Sequence, residues 1–182
     1  GRILSSVFKK EASSESWLIN IDEYGDRNWH TTYGGKKEDI GKQINSFSDN
    51  SFLLSNETES FGAGGKDIWL IKIDRNGKII WESTVGSKKD EYAGSTKLIS
   101  DKEILIIGQK PLKNKLSLTS LFFSKSKKNN DKNGNSNSFI TKLDRMGKII
   151  WQRDDFEDEK NRVPYISNIK KNILIVGQKS TK

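Results

Sequence analysis

The chain has very little of several residue types that would point to particular chemistries. Its 182 residues include no Cys, one His, one Met and two Pro. Without Cys there are no disulfides, thiolate metal ligands or cysteine nucleophiles, and the redox compartment stays undetermined. The lone His30 argues against His-rich zinc sites. We therefore expect no metal, no cofactor and no catalytic residues, and we expect that the chain is not an enzyme.

Apolar residues and long apolar runs are also scarce. Hydrophobic residues make up 32% of the chain, so we expect a thin core, which favours small repeated sheets over one large core. No run approaches the ~18 apolar residues that cross a bilayer, and the first residues lack the charged and apolar regions of a signal peptide. The presence of a signal peptide or lipid anchor before Gly1 stays open. The length predicts one domain, residues 1–182.

The chain repeats its own sequence three times. Apolar segments that begin at Trp17, Trp69 and Phe139 each end in an Asp, which is followed by a Gly and a Trp at fixed spacing. The aligned positions are Asp22, Gly25 and Trp29, then Asp74, Gly77 and Trp81, then Asp144, Gly147 and Trp151. A second apolar segment follows in each copy, at 52–54, 104–110 and 173–179. A fixed internal period decides the fold before local propensity does.

Each copy reads as four short strands. The segment around Trp69 is apolar on both faces, as expected for a sheet packed between two neighbours, and Asn76-Gly77 predicts a tight hairpin because Gly accepts positive φ. A unit of about 50 residues with four antiparallel strands has the size of a β-propeller blade. We predict an all-β fold with blades at 16–56, 68–109 and 138–178, and residues 2–7 as the outer strand of a preceding blade.

These blades do not make a complete ring. Three blades and one strand cannot readily close, and an open stack leaves apolar end faces in water. We therefore expect either a longer protein or a homo-oligomer whose copies complete the ring.

The motif Asp-x-x-Gly-Lys-x-x-Trp, at 74–81 and again at 144–151, resembles the tryptophan-docking motif of quinoprotein-like bacterial propellers. That family includes outer-membrane assembly scaffold lipoproteins as well as dehydrogenases. Segments 32–39 and 60–69 resemble the repeats of secreted or surface-exposed bacterial propeller proteins. The resemblance implies a protein outside the cytoplasm, in the periplasm or at the cell surface, with a lipid anchor left open. It implies a structural docking role for the nine aligned Asp, Gly and Trp positions above, where the repeated Trp is core and the repeated Asp caps a turn.

A basic, low-complexity insertion separates the second and third copies at residues 112–137. From Lys110 to Lys132 there are seven Lys and one Asp, so much of the net charge of +8 lies in this segment. An acidic tract, which we predict in the loop between the second and third strands, follows in the last blade. Alternating strand directions place this loop and the insertion on the same face. The predicted binding face comprises Lys113, Lys115, Leu121, Phe122, Phe123, Lys125, Lys127, Lys128, Asp154, Asp155, Glu157, Asp158 and Glu159.

Several functions fit this surface. The first is a non-enzymatic protein-interaction or scaffold module, whose partner is another protein or a second copy. The second is a binder of anionic lipid, polysaccharide or nucleic acid through the lysines, which predicts steep salt dependence. No specific nucleic acid is expected, because Lys lacks the bidentate geometry of Arg. A fragment of a quinone-dependent enzyme is suggested by the family likeness alone, and a solvated insertion without function is the simplest alternative.

Overall fold

The computed structural model describes residues 13–111, 136–156, 162–169 and 172–178, and every regular element within these ranges is a β-strand. Strands β1 to β6 are Ser16–Ile21, Arg27–Tyr33, Asp39–Ser46, Phe52–Thr58, Asp67–Ile73 and Ile79–Val85. Strands β7 to β12 are Tyr92–Ser100, Glu103–Pro111, Ser136–Asp144, Ile149–Phe156, Arg162–Ile169 and Asn172–Gln178. The predicted all-β class is confirmed. Residues 2–7, predicted as an outer strand, lie outside the described ranges.

All strand pairs are antiparallel, and they form four sheets in chain order. Sheet A is the hairpin β1-β2, sheet B has the order β3-β4-β5-β6, sheet C has the order β7-β8-β9-β10, and sheet D is the hairpin β11-β12. Each four-stranded sheet is therefore a meander of consecutive strands. The predicted hairpin at Asn76-Gly77 is present, and Gly77 has a φ of 83°.

The four-stranded sheets do not coincide with the predicted units 16–56, 68–109 and 138–178. Each sheet combines the last two strands of one unit with the first two strands of the next. Strand β4 pairs with β5 in a continuous register from Phe52↔Ile73 to Thr58↔Asp67, although the repeat places these strands in different units. In the same way, β8 pairs with β9. The insertion at 112–137 therefore joins two neighbouring strands of sheet C rather than two sheets. A repeat fixes the period of the units, but hydrogen bonding decides where each sheet begins.

Sheet B lies between sheets A and C because strand β5 buries both of its faces. Ile68 and Leu70 pack with residues of sheet C. Trp69, Ile71 and Ile73, which alternate with them, pack with residues of sheet A. Since successive side chains of a strand point to opposite faces, an almost continuous apolar run supplies both contacts. The predicted two-faced burial is confirmed.

Sheet C repeats this arrangement through strand β8. Ile104 and Ile106 belong to the core shared with sheet B. Leu105 and Ile107 pack on the other face, where Ile175 of strand β12 contacts them. The described residues thus form a stack of sheets in the order A, B, C, D, with a separate apolar layer at each junction.

The two ends of this stack differ in their connections. One end, which we call the turn end, carries the described short connections 22–26, 47–51, 74–78, 101–102 and 145–148. The other, which we call the loop end, carries the described connections 34–38, 59–66 and 86–91. Because the strands alternate in direction, every second connection returns to the same end. The insertion and the connection after β10 therefore begin at the same end of sheet C.

Truncation of one core residue tests the stack. Ile106 is 0% exposed and Ile80 is 52% exposed, although both lie in strands of the same repeat. We expect Ile106→Ala to lower the free energy of unfolding by about 2–5 kcal/mol, because it leaves a cavity between sheets B and C. Ile80→Ala should change it by less than about 0.5 kcal/mol. Guanidinium unfolding measures both values, and equal losses would contradict the stacked arrangement.

Candidate functional site

The turn end is organised by one Asp in each repeat. A carboxylate oxygen of Asp74 accepts hydrogen bonds from the backbone N–H groups of Asn76 at 2.8 Å and Lys78 at 2.9 Å. Asp22 and Asp144 accept the corresponding pair of bonds in their own turns. These carboxylates satisfy backbone donors of the hairpin, which is the role of a turn carboxylate.

Two of the repeated tryptophans lie against the turn of the next sheet. Trp81 of sheet B donates its Nε1–H to the carbonyl oxygen of Arg145 in sheet C at 3.1 Å. Its ring covers Gly147, where a Cβ atom would lie 2.7 Å from Cζ3. Trp29 of sheet A lies over Gly77 of sheet B in the same way, with a Cβ there 3.2 Å from its ring. The structure therefore brings these four predicted docking residues together in two equivalent contacts.

Two hydroxyl groups donate hydrogen bonds to the same glycine turns. We did not predict these bonds from the sequence. Tyr33 donates to the carbonyl oxygen of Gly77 at 2.6 Å, and Ser83 donates to that of Gly147 at 2.9 Å. Burial raises the pKa of the Tyr33 hydroxyl, and the charge of Asp74 raises it further. The hydroxyl therefore stays protonated and able to donate across the neutral pH range.

Trp151 and Gly25 occupy the same repeat positions without such a contact. Trp151 is 36% exposed, and it is not among the atoms nearest to any glycine of the described turns. Gly25 has a φ of +89°, yet a Cβ there would meet no atom within 4 Å. Within the described residues, Trp151 therefore has no glycine turn to pack against, and the turn of Gly25 has no tryptophan packed on it.

A pair of glycine substitutions separates docking from backbone strain. Gly25→Ala and Gly147→Ala both place a Cβ at positive φ, +89° and +79°, which costs about 1–2 kcal/mol. Gly147→Ala also collides with Trp81, so we expect a further loss of about 1–3 kcal/mol in the free energy of unfolding. Thermal and denaturant unfolding measure the difference. Equal destabilisation would mean that the Trp81 contact contributes nothing.

Buried carboxylates hold the connections of the loop end. Asp39 is 0% exposed, and it accepts hydrogen bonds from the backbone N–H of Gly35 and the hydroxyl of Ser60, both at 2.7 Å. Glu91 has the same repeat position in the next sheet, where it accepts from the backbone N–H of Ser87 at 2.7 Å and from its hydroxyl at 2.6 Å. Each carboxylate thus closes the connection that precedes it.

Lys66 links these connections to one another. Its Nζ lies 2.5 Å from Glu38 and 3.5 Å from Glu59, and the hydrogen bond to Glu38 is the main reason that the pKa of Lys66 is raised. Its backbone N–H donates to Asp90 at 3.0 Å, and its carbonyl accepts from the backbone N–H of Glu91 at 2.5 Å. The described connections of the loop end therefore form one bonded polar surface.

Asp67, at the start of β5, is the least satisfied group of this surface. It is 0% exposed; one carboxylate oxygen accepts from the backbone N–H of Ala63 at 3.0 Å, and Oδ1 has no hydrogen-bond partner among the described residues. Burial raises the pKa of Asp67, with a smaller contribution from the charge of Asp90. A Cβ at Gly86 would lie 1.6 Å from Oδ1, so the glycine leaves the room that this carboxyl occupies.

The predicted binding residues divide into two groups. Those outside the described ranges are Lys113, Lys115, Leu121, Phe122, Phe123, Lys125, Lys127, Lys128, Glu157, Asp158 and Glu159. Asp154 and Asp155, which we predicted in a loop, lie instead in strand β10, because its pairing with β9 extends beyond them. Asp154 lies 2.7 Å from Nζ of Lys110, whose ammonium is 5.8 Å from the centre of the Phe139 ring. One base and one acid of the two charged tracts are thus paired within sheet C.

The buried polar groups of the loop end were not predicted, although the sequence carries a signal for them. Residues 34–39 read Gly-Gly-Lys-Lys-Glu-Asp, and residues 86–91 read Gly-Ser-Lys-Lys-Asp-Glu at the same repeat position. Repetition of a glycine and a carboxylate at fixed spacing predicts a loop closed by that carboxylate. In the described ranges, no group of three or more His, Asp or Glu is placed to hold a metal ion.

Comparison with known proteins adds no relative. No protein-family model matches the chain, and no curated protein matches it at a significant level. Within the part of the chain that the structure describes, no helix is long and apolar enough to cross a membrane.

Removal of the buried charge at Asp67 should stabilise the fold. Because the folded state raises the pKa of Asp67, this residue favours folding when it is protonated, and the advantage is lost as the pH rises through the raised pKa. We expect Asp67→Asn to increase the free energy of unfolding by about 1 kcal/mol at pH 7. The difference from the parent chain should shrink below about pH 4, where the unfolded carboxyl is protonated as well.

Asp39→Asn is the matched control, because both oxygens of that carboxylate accept hydrogen bonds, including those of Thr58 and Ser60. It should destabilise the fold at pH 7 by about 1–3 kcal/mol. Urea unfolding at several pH values measures both variants. A loss of stability in Asp67→Asn at pH 7 would contradict the assignment of a buried, poorly satisfied charge.

Proposed function

We propose that the chain is a non-enzymatic protein-interaction or scaffold module of a bacterial surface or periplasmic protein, built from propeller blades. In this proposal each four-stranded sheet is one blade, and sheets A and D are parts of further blades. The carrying observation is the difference between the two ends of the stack. Among the described residues, the two connections longer than five residues, 59–66 and 86–91, both lie at the loop end, above sheets that are packed on both faces. Binding residues are commonly placed on loops that a rigid scaffold positions.

The repeated acidic residues support a structural rather than a catalytic use. Asp22, Asp74 and Asp144 are occupied by turn N–H groups, and Asp39 and Glu91 are occupied by loop N–H and hydroxyl groups. Within each of these two repeated sets the carboxylates lie in different sheets, and the two sets lie at opposite ends of the stack. A pair of carboxylates acting on one substrate would need to converge.

The location outside the cytoplasm rests on the repeated motif at 74–81 and 144–151. The motif's Trp81 docks on the turn of the next sheet, and this is the feature that resembles bacterial surface and periplasmic propellers. The same resemblance also suggested a quinone-dependent enzyme. The described residues offer no observation in favour of that function beyond the motif itself.

A binder of anionic lipid or polysaccharide is the second candidate, favoured by the run of lysines that begins at Lys110, near the end of strand β8. Lys110, the first of the run, is already paired with Asp154, so part of the positive charge is neutralised within sheet C. Binding through the remaining lysines would weaken steeply with salt. Binding to a protein through Leu121, Phe122 and Phe123 would depend on salt less, because apolar anchors carry it.

A photo-crosslinking residue at Phe122 tests the proposal, with the same residue at Ile80 on the turn end as the control. We expect discrete protein adducts in the native organism from position 122 and none from position 80. In parallel, the purified chain is mixed with vesicles that contain phosphatidylglycerol, at low and high salt. Vesicle binding that disappears with salt, without protein adducts, would replace the proposal with the anionic-surface function.

A further inference from the structure

Sheets A and D are complementary halves of the four-stranded pattern seen in sheets B and C. Strands β1 and β2 align in the repeat with β5 and β6, which are the last two strands of sheet B. Strands β11 and β12 follow β10 as β7 and β8 follow β6, and they take the positions of the first two strands of a sheet. Within the described residues, the edge of β1 opposite β2 and the edge of β12 opposite β11 have no partner strand.

The two complete sheets define how these edges would pair. Phe52 pairs with Ile73 where β4 meets β5, and Ile104 pairs with Leu143 where β8 meets β9. These pairs are equivalent in the repeat, since Ile73 and Leu143 each precede the turn Asp. On the two edges that have no partner among the described strands, the equivalent residues are Ile173 of β12 and Ile21 of β1. Antiparallel pairing in this register also places Leu174 opposite Asn20.

The tryptophan contacts point to the same partner. Trp29 docks on the turn of Gly77 and Trp81 docks on the turn of Gly147, so each tryptophan reaches the turn of the following sheet. Trp151 is next in this series, and among the described turns of Gly25, Gly77 and Gly147 that of Gly25 has no tryptophan against it. If β1 and β2 completed sheet D, the turn of Gly25 would follow sheet C in the position that Trp151 requires.

Exposed apolar residues on β1 are a further feature that fits pairing between β1 and β12. Trp17, Ile19 and Ile21 are 60%, 37% and 55% exposed, whereas the residues aligned with them on β5 are at most 3% exposed. On β5 that face packs against the preceding sheet. The sheet that precedes D is C, whose face toward D carries Leu105 and Ile107 in an apolar cluster.

We propose that the chain self-associates head to tail, with the β1-β2 hairpin of a second copy adding to β12 of the first copy and completing sheet D. Trp151 of the first copy then docks on the turn of Gly25 in the second copy. This inference rests on the proposed function, since it names a second copy as the partner that extends the scaffold. Such contacts are heterologous, so they produce rings or open chains according to the rotation between copies.

Engineered disulfides test the register, because the chain contains no Cys. Asn20→Cys and Leu174→Cys variants, carrying tags of different length, are mixed and oxidised. We expect the mixed disulfide between these two variants to form at least about ten times faster than the one between Asn20→Cys and Gln178→Cys. Position 178 is displaced from position 174 by about 13 Å along the strand. Equal rates for the two pairs would overturn the proposal.

Association in solution gives an independent measurement. Trp151→Ala and Gly25→Ala should each raise the dissociation constant of the 182-residue chain by about tenfold or more in sedimentation experiments. Ile80→Ala is the control and should leave it unchanged. A chain that is monomeric at all accessible concentrations overturns the proposal.

The strand predicted at residues 2–7 is a competing occupant of the β1 edge, because β4, which precedes β5 in the same way, pairs with β5. Removal of residues 1–12 tests this alternative. If a second copy binds there, self-association of the shortened chain should persist. Self-association that appears only after this removal would mean that the chain's own upstream segment pairs with β1, and the proposal would be overturned. Protein adducts from the photo-crosslinker at Phe122 do not depend on this edge, so the interaction function can survive the loss of self-association.

Discussion

The structure depends on strands that bury both of their faces. All residues of β5 and the central residues 104–108 of β8 are buried, because alternate side chains enter different apolar layers. A strand of this kind is stable only inside a stack, since a missing neighbour exposes half of its apolar side chains. The low apolar content of the chain is sufficient because the same short run supplies two cores at once. The outer strands are then free to be polar.

The apolar layers require a regular spacing between neighbouring sheets. Different contacts set this spacing at the turn end and at the loop end. At the turn end, an indole ring and a hydroxyl meet the glycine turn of the next sheet, so contact area and two hydrogen bonds fix the approach. At the loop end, buried carboxylates bind the connections, and Lys66 joins them by ion pairs. Glycine appears at both ends for a steric reason, because a ring covers Gly147 and a carboxyl fills the space beside Gly86.

Much of the fold was readable from the repeat, and the limits of that reading are physical. The hairpin turns, the turn carboxylates and the two-faced burial of β5 follow from local patterns around Trp69 and Asp74. The grouping of strands into sheets does not, because a periodic sequence has no marked first residue and only the β4-β5 register reveals it. The buried state of Asp67 was equally hidden, since it depends on Gly86 in another strand. Asp154 and Asp155 were misplaced because an acidic pair resembles a loop even where a strand continues.

The pairing of β8 with β9 has a consequence for how this repeat can change. Nine consecutive pairs, from Glu103↔Asp144 to Pro111↔Ser136, hold these strands on both sides of the insertion. Residues gained or lost between them need not disturb these nine pairs, because the two strands are held by each other and by their neighbours in sheet C. One repeat can therefore differ from the other two in length and charge at this connection while its strands keep the common pattern. Sequence differences between repeats can then accumulate where they do not alter the strand pairing.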